Sequence, residues 1–173
     1  LNRPENLKPE ESLTYELGYK HLVHKAFNVA LTGFFTDYKD KFAGVYDDAG
    51  NWKGMKNIGE AEIKGLELEA DGRLCPWFGY RLAGTYLKAE WTKGRMQVRE
   101  HPTNKKVMRN LDGYDIHGIP DYTYVVGLDF YPTEDLKCGV DINGYGSYYV
   151  DYMNRIEYGA KTTVDGNVSY KIN

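Results

Sequence analysis

Hydrophobic and polar residues alternate along much of this chain, most clearly over residues 57–74. From position 65 onward one side carries Leu66, Leu68 and Ala70, and the other side carries Glu67, Glu69 and Asp71. A period of two predicts a β-strand with one apolar face and one wet face. Three acidic residues on the wet face favour a wall with an apolar environment on one side and a polar lumen on the other.

The same alternation recurs in other segments, which are separated by links of alternating length. The predicted strands are 12–21, 26–38, 57–74, 78–91, 121–131, 136–150 and 163–173. The short links are 22–25, 75–77 and 132–135, and the long loops are 39–59, 93–118 and 151–161. Within loop 39–59, short strand extensions are expected around 42–46 and 52–55.

This order of links predicts the architecture. Antiparallel neighbours joined in this way have all tight turns at one end and all long loops at the other, as in outer-membrane barrels. Several predicted strands are also long enough to cross a bilayer when tilted, which takes roughly 9–11 residues. The expected fold is all-β: an antiparallel meander of about seven main strands over residues 1–173, forming part of a transmembrane β-barrel.

Composition agrees with this fold. The chain has 173 residues, of which 42% are hydrophobic, and its mean hydropathy is −0.61. No apolar run approaches the roughly 18 residues of a spanning helix, so an α-helical membrane protein is excluded. The 16 Tyr and 19 Gly favour β structure, and tyrosine suits a membrane interface. A net charge of −3 argues against general nucleic-acid binding.

The two cysteines and the chain ends carry further expectations. Cys75 and Cys138 form neither a disulfide framework nor a metal knuckle. Two predicted strands separate them, and neighbouring strands lie about 4.8 Å apart, so two free thiols are expected. The sequence has no initiator Met or signal peptide, and Asn173 falls inside a predicted strand, so a longer polypeptide is expected.

Five short phrases occur in order along the chain. They are NLKPE at 6–10 with YELGY at 15–19, FFTDYKD at 34–40, NIG at 57–59 with IKGLELE at 63–69, Ile119-Pro120 ahead of strand 121–131, and residues 165–170. Together they resemble the barrel of TonB-dependent outer-membrane receptors over nearly the whole chain. The resemblance implies a 22-stranded barrel of roughly the width that a plug fills. These residues contain no plug domain and no TonB-contacting box, and resemble the middle-to-late part of the barrel.

The resemblance implies a receptor and transporter of the bacterial outer membrane that is not an enzyme. The expected ligand is a ferric siderophore, and haem, cobalamin and oligosaccharide are alternatives within the family. The expected partners are the plug domain of the same polypeptide, the inner-membrane TonB complex through that plug, and outer-membrane lipid or lipopolysaccharide. No cofactor and no nucleic acid are expected. A small self-contained outer-membrane or soluble β-barrel with an adhesive or structural role is the alternative from another class.

Charged residues on the wet faces are candidates for a lumen-facing wall. By register these are Glu16, Glu67, Glu69, Arg81, Asp129 and Asp141. They line a path between wall and plug in one interpretation, and provide ordinary solvated packing or plug docking in the simpler one. No pair of carboxylates is placed for acid–base catalysis, and no nucleophile lies beside a histidine.

The long loops hold the candidate ligand-binding residues. Loop 93–118 carries Lys93, Arg95, Arg99, Lys105, Lys106 and Arg109, and Glu100 is the only acidic residue between Lys93 and Arg109. A cationic loop attracts anionic ligands or lipopolysaccharide phosphates, and an ordinary solvated loop is the alternative. A tyrosine cluster, Tyr145, Tyr148, Tyr149 and Tyr152, is expected to join Tyr15, Tyr19, Tyr80 and Tyr86 in an interfacial girdle. The alternative is that part of the cluster stacks on a catecholate or haem ligand.

Histidines give no metal site in the sequence. His21 and His24 fall at a predicted tight turn, where exposed and inert side chains are expected. His101 and His117 fall in the long loop 93–118 without a partner at ligand spacing. Asp112 and Asp115 do not form a calcium-loop pattern with His117.

Overall fold

The computed structural model describes residues 7–23, 26–46, 52–100, 102–103 and 105–172. These residues form antiparallel strands: β1 (Glu11–Val23), β2 (Phe27–Tyr46), β3 (Trp52–Cys75), β4 (Phe78–Glu100), β5 (Lys105–Asn110), β6 (Tyr122–Phe130), β7 (Leu136–Tyr145), β8 (Tyr148–Tyr149), β9 (Glu157–Tyr158) and β10 (Lys161–Tyr170). Among the described residues, no helix is long and apolar enough to cross a membrane.

The main sheet is a meander in which strands follow chain order. Its order is β1-β2-β3-β4-β6-β7-β10, with β5 paired to β4, while β8 and β9 form a separate small hairpin. The short links after β1, β3 and β6 all lie at the same end of the strands, called here the turn end, and the opposite end of the strands is called the loop end. The predicted antiparallel meander and the common location of its tight turns are therefore confirmed.

The sheet has two chemically different faces, as the alternation predicted. One row across the strands runs Leu17, Gly33, Leu66, Tyr86 and Tyr122, and the next row runs Gly18, Thr32, Glu67, Thr85 and Thr123. The first row belongs to what we call the apolar face, and the second to the polar face. Leu17 is 82% exposed and Leu66 is 54% exposed, so the apolar face lies uncovered. An uncovered apolar sheet face of this extent is typical of a surface that contacts lipid or another protein.

The expected long loop 39–59 is mostly strand, which corrects that part of the sequence prediction. β2 and β3 pair with each other on both sides of the irregular region, from Asn28 with Asp71 to Tyr46 with Trp52. Register shifts interrupt the ladder between Tyr38 and Phe42, and each shift changes which face the following side chains occupy. The alternation is therefore lost from the sequence while the hydrogen bonds continue. The extensions expected around 42–46 and 52–55 are present.

The expected long loop 93–118 is also largely ordered along β4. β4 continues to Glu100 and pairs there with β5. Residues 111–121, called here the bulged segment, then follow the same edge of β4 down to β6. Within it, the Leu111 N–H donates to the Gly94 carbonyl at 3.0 Å, and the Ile116 N–H donates to the Ala89 carbonyl at 2.9 Å. Its irregular backbone has no period of two, so the sequence could not reveal it.

The main buried apolar group of the described residues lies at the loop end, and we call it the outer cluster. It comprises Ala61, Ala89, Trp91, Leu111 and Ile116, with Tyr114, Ile119, Tyr152 and Met153 packed around it. Ala61 pairs with Trp91. Every second pair along β3 and β4 from there leads to Glu67 and Thr85 on the polar face, so Ala61 and Trp91 lie on that face too. The apolar side chains thus change face near the loop end. There the bulged segment covers them.

Candidate functional site

An ion network crosses three strands on the polar face. The Arg81 guanidinium donates to Asp129 at 2.8 Å and to Asp141 at 2.9 Å. Lys137 lies 3.1 Å from the other oxygen of Asp129, whose side chain is only 10% exposed. Gly127 lies beneath the guanidinium, since a Cβ there would be 2.7 Å from Arg81 Nη2. A forked arginine between two carboxylates fixes β4, β6 and β7 against one another more firmly than a point charge would.

The residues predicted to line the lumen share the polar face. They are Glu16, Glu67, Glu69, Arg81, Asp129 and Asp141, and the pairing register puts all of them on this side. Arg81, Asp129 and Asp141 are brought into contact. The acids of β1 and β3 line the same face at a distance from this network. That this face borders a lumen stays a prediction.

Hydrogen bonds join the bulged segment to β8 and the loop that follows it. The Asp115 N–H donates to Asn154 Oδ1 at 2.7 Å, and Asn154 Nδ2 donates to the Asp115 carbonyl at 3.0 Å. The Gly118 N–H donates to the Tyr149 carbonyl at 2.7 Å, and Gly118 has a positive φ of 80° that suits glycine. Two long loops that are distant in sequence therefore form one unit over the outer cluster.

An aromatic contact ties this unit to the strand below it. The rings of His117 and Tyr152 have centroids 4.0 Å apart, and the rings of Tyr152 and Trp91 are 6.4 Å apart. His117 Nδ1 and Trp91 Nε1 are buried and have no hydrogen-bond partner among the described residues. Burial lowers the pKa of His117, and the negative charge of Asp151 partly opposes this. Tyr152 packs over the polar face, so its expected place in an interfacial girdle is wrong.

Asp151 organises the loop that follows β8. Its carboxylate accepts hydrogen bonds from the N–H groups of Arg155 and Ile156, both at 2.8 Å, and from the Arg155 side chain at 3.1 Å. Burial opposes the ionised form, but these hydrogen bonds together lower the pKa of Asp151. The expected loop 151–161 is therefore a structured turn that leads into β9.

Three tyrosines form one aromatic group at the loop end, called here the tyrosine platform. The ring of Tyr148 stacks on that of Tyr158, with centroids 5.3 Å apart and planes 29° apart, and it lies 6.1 Å from the ring of Tyr145 at an angle of 50°. Tyr145 pairs with Thr123 on the polar face, whereas Tyr15, Tyr19, Tyr80 and Tyr86 lie on the apolar face. Tyr145 is thus not part of an apolar-face girdle. The sequence prediction missed Tyr158, because only the pairing of β8 with β9 brings it to the stack.

The cationic residues of the expected loop 93–118 do not form one patch. In the β4–β5 ladder, Arg95, Arg99 and Lys106 lie on one face, and Lys105 and Arg109 lie on the other with Glu100. Arg109 forms an ion pair with Glu100, and Lys93 lies 3.2 Å from Glu60. The positive charge is therefore distributed on both sides of an extended hairpin.

The histidines and cysteines add no metal centre among the described residues. No group of three or more His, Cys, Asp or Glu side chains in the part of the chain that the structure describes is placed to hold a metal ion. His21 is exposed and stacks on Tyr19, while His24 and His101 lie outside the described residues. Cys75 and Cys138 are free, as predicted from the two strands, β4 and β6, that separate them.

An uncovered apolar face, a polar face with fixed charges, and structured loops at one end define a segment of a membrane-spanning β-barrel wall. The family model described as "TonB dependent receptor-like, beta-barrel" matches residues 1–173, and the chain belongs to this family. Its barrels are outer-membrane proteins of Gram-negative bacteria, which gives the location of this chain.

Individual relatives resemble all or part of the chain. The pesticin receptor of Yersinia pestis is 25% identical over 162 residues, which are 94% of this chain and 22% of the relative. The vitamin B12 transporter BtuB of Photobacterium profundum is 39% identical over 69 residues, 38% of this chain and 11% of that protein. The solved siderophore receptor PiuA of Acinetobacter baumannii has a TM-score of 0.75 at 22% identity, over 95% of this chain and 23% of that one. The chain thus spans about a fifth of the length of the pesticin receptor.

Proposed function

We propose that this chain is part of the barrel of a receptor that imports a nutrient across the outer membrane with energy from the TonB complex, and that the nutrient is a ferric siderophore. The structural observation that carries the proposal is the tyrosine platform, rooted on the polar face at the loop end. The ferric yersiniabactin uptake receptor FyuA of Yersinia pestis, with a TM-score of 0.71 at 22% identity over 93% of this chain and 22% of that one, supports the family-level part.

The wall has a mechanical part in this function. The polar face borders the lumen, where a plug domain of the same polypeptide meets Glu16, Glu67, Glu69 and the ion network. The TonB complex acts on the plug, so the wall has to stay rigid while the plug moves. The hydrogen bonds from Arg81 on β4 to Asp129 on β6 and to Asp141 on β7 provide that rigidity across three neighbouring strands.

The tyrosine platform provides the ligand contact. Tyr158 is 48% exposed, so its ring is accessible to a flat ligand. Stacking on an aromatic ring contributes about 0.5–1.5 kcal/mol, and a catecholate or another aryl group of a siderophore fits such a surface. Tyr149 and Tyr152 hold the platform in place through the fastened loops. Arg95, Arg99, Lys105, Lys106 and Arg109 attract an anionic ligand at long range.

Uptake by the complete receptor tests the proposal. We expect bacteria carrying the receptor to import radiolabelled iron from a ferric tris-catecholate complex and not cobalt from cyanocobalamin. Tyr158→Ala is expected to raise the half-saturating concentration of the iron complex about two- to tenfold, the equivalent of one stacking contact. Tyr158→Phe keeps the ring and serves as the matched control.

The other outcomes identify different functions. Import of cyanocobalamin in place of the iron complex would assign the receptor to the cobalamin branch, which the partial match to a vitamin B12 transporter favours as second candidate. Import of neither probe would reject both ligands. Equal uptake by the Tyr158→Ala and Tyr158→Phe variants would remove the tyrosine platform from ligand binding. The family match disfavours the alternative of a small self-contained barrel.

A further inference from the structure

A lysine lies directly beside the tyrosine platform on the polar face. Lys161, the first residue of β10, pairs with Tyr145 on β7, and the same row continues to Thr123 on β6. Side chains directly opposite each other in an antiparallel ladder have Cβ atoms about 5 Å apart. The flexible stem of a lysine therefore lets the Lys161 ammonium reach the edge of a ring that stacks on the platform.

Within the part of the chain that the structure describes, the acids of the polar face lie too far from Lys161 to neutralise it. Its neighbours on that face, Tyr145 across the ladder and Thr163 along the strand, are uncharged. Asp165 is four residues along the strand, about 13 Å away, and Glu67 is four strands away, about 19 Å. Exposed charges more than about 8 Å apart are largely screened at physiological ionic strength. Lys161 therefore presents a full positive charge beside the platform.

The charges on the loop beside the platform are paired or lie on its other side. The Arg155 side chain donates to Asp151 at 3.1 Å, so these two charges cancel. Glu157 comes one position before Tyr158 in β9, so its side chain lies on the opposite face of the hairpin from the stacked rings. An anion that approaches the rings therefore meets Lys161.

The platform also adjoins exposed apolar surface. Val150 and Ile156 follow the stacked pair in the hairpin, and the Val150 N–H donates to the Ile156 carbonyl at 2.9 Å. The two residues are 45% and 59% exposed. An inorganic anion would gain nothing from this surface or from the rings, whereas an organic ligand would bury both. A ligand that uses the whole surface has a flat ring, apolar substituents and negative charge at one edge.

We propose that Lys161 determines the specificity of the receptor by binding the negatively charged oxygens of an aryl chelator whose ring stacks on Tyr158. The inference rests on the proposed function and deepens it, because it makes the receptor selective for an anionic aryl iron complex over an uncharged complex of the same shape. An ammonium group is a compact charge with rotatable donors, which suits the closely spaced oxygens of a metal complex.

Two iron complexes of similar shape and different charge test the proposal on the complete receptor, purified in detergent. The ferric complex of a hexadentate tris-catecholate is trianionic, and that of a hexadentate tris-hydroxypyridinone has similar flat chelating rings and no net charge. Quenching of the intrinsic fluorescence measures the dissociation constant of each. We expect Lys161→Gln to weaken binding of the trianionic complex about fivefold, as the loss of an exposed ion pair does, and to leave binding of the uncharged complex unchanged.

Matched variants separate the charge of Lys161 from other effects. Lys161→Arg keeps the charge and is expected to retain most of the affinity for the trianionic complex. Lys20→Gln removes a lysine from the same polar face at the opposite edge of the sheet, and it is expected to bind both complexes as wild type does. Added salt should weaken binding of the trianionic complex to wild type more than to Lys161→Gln, because salt screens exposed charges.

Three results would overturn the proposal. An equal loss of both complexes in Lys161→Gln would show that the residue supports the shape of the platform and reads no charge. Unchanged binding of the trianionic complex would remove Lys161 from the site, and a similar charge-selective loss in Lys20→Gln would assign the attraction to the polar face as a whole.

The Tyr158→Ala variant distinguishes these results from failure of the proposed function. Weaker binding of both complexes by Tyr158→Ala would leave the proposed function intact in each of the three cases. A wild-type receptor that binds neither complex would overturn the proposed function and this inference together.

Discussion

The side-chain amide of Asn154 and the backbone of Asp115 are joined by a reciprocal pair of hydrogen bonds, 2.7 and 3.0 Å long. Asn154 has a φ of 49°, a left-handed conformation that asparagine tolerates better than most residues. The pair therefore uses both properties of asparagine, its backbone tolerance and its amide. It joins the bulged segment to the loop that carries the tyrosine platform.

Replacing Asn154 should release the two loops from each other. Asn154→Gly keeps the left-handed backbone and removes both hydrogen bonds, so we expect a loss of about 2 kcal/mol in the free energy of local opening. Trypsin cleavage after Arg155 in the complete receptor measures this opening. Asn154→Asp retains the acceptor and is expected to have an intermediate effect. Cleavage rates equal to wild type in both variants would show that other contacts hold the loops.

Removing the two ion pairs of Arg81 should destabilise the pairing of β4, β6 and β7. Arg81→Ala leaves Asp129 with Lys137 and leaves Asp141 without its arginine partner, and about 1–2 kcal/mol of unfolding free energy is expected to be lost. Arg81→Lys keeps the charge but reaches one carboxylate at a time, so about half of the loss is expected. Thermal unfolding of the purified receptor measures the difference. A lysine variant as stable as wild type would mean that charge alone matters.

Gly127→Ala tests the space beneath the same guanidinium. The added Cβ would lie 2.7 Å from Arg81 Nη2 and 2.9 Å from Asp141 Oδ1, so the fork has to move. We expect a destabilisation similar to that of Arg81→Lys. Gly84→Ala is the matched control, because the nearest atom to its Cβ, the Thr123 carbonyl oxygen, is 3.5 Å away. Equal thermal stability of the two variants would show that the fork adapts to the methyl group.

The loop unit should loosen as the pH falls. Burial lowers the pKa of His117 below its ordinary value of 6.5, so the unfolded loop binds more protons than the folded one. Its contribution to stability is therefore complete above pH 6.5 and declines as the pH falls toward the folded pKa. Between pH 7.5 and 5.5 the base-catalysed chemical exchange rate falls, and hydrogen exchange of residues 111–120 in the complete receptor is expected to slow by less than that rate does.

A His117 variant identifies the group that titrates. His117→Phe keeps a ring next to Tyr152 and cannot be protonated, so exchange in this variant should slow as much as the chemical rate does. Asp151 lies in the same loop, but its pKa is lowered and it stays ionised over this range. Burial raises the pKa of Asp115, so its protonation would stabilise the loop as the pH falls and cannot cause this effect. Persistence of the pH effect in His117→Phe would therefore exclude His117 as the group responsible.

The alternation of residues predicted the part of the sheet where one face is apolar and the other polar. Leu66 and Leu68 are on the apolar face, and Glu67 and Glu69 are on the polar face, as the pattern required. The tight turns were predictable too, because charged and Pro-containing links separate strongly alternating strands. These features depend only on local sequence and on a wall with different surroundings on its two sides.

The loop end was not predictable in this way, because the apolar side chains change face there. Ala61 and Ile63 belong to the polar face, only a few residues from Leu66 on the apolar face. Bulges at Glu60/Ala61 and near Lys41 shift the register further. The outer cluster also depends on Leu111 and Ile116, which meet Trp91 only through the tertiary fold. Pairing of distant loops leaves no period in the sequence.

The bulged segment lies on the edge of β4 that β5 and β6 share. Because both strands pair with the same edge of β4, the irregular residues between them add no strand to the circumference of the barrel. Insertions and deletions at this point would reshape the mouth while the scaffold below keeps its diameter. In a barrel wall built this way, the loops can therefore vary while the strand pairing below them stays the same.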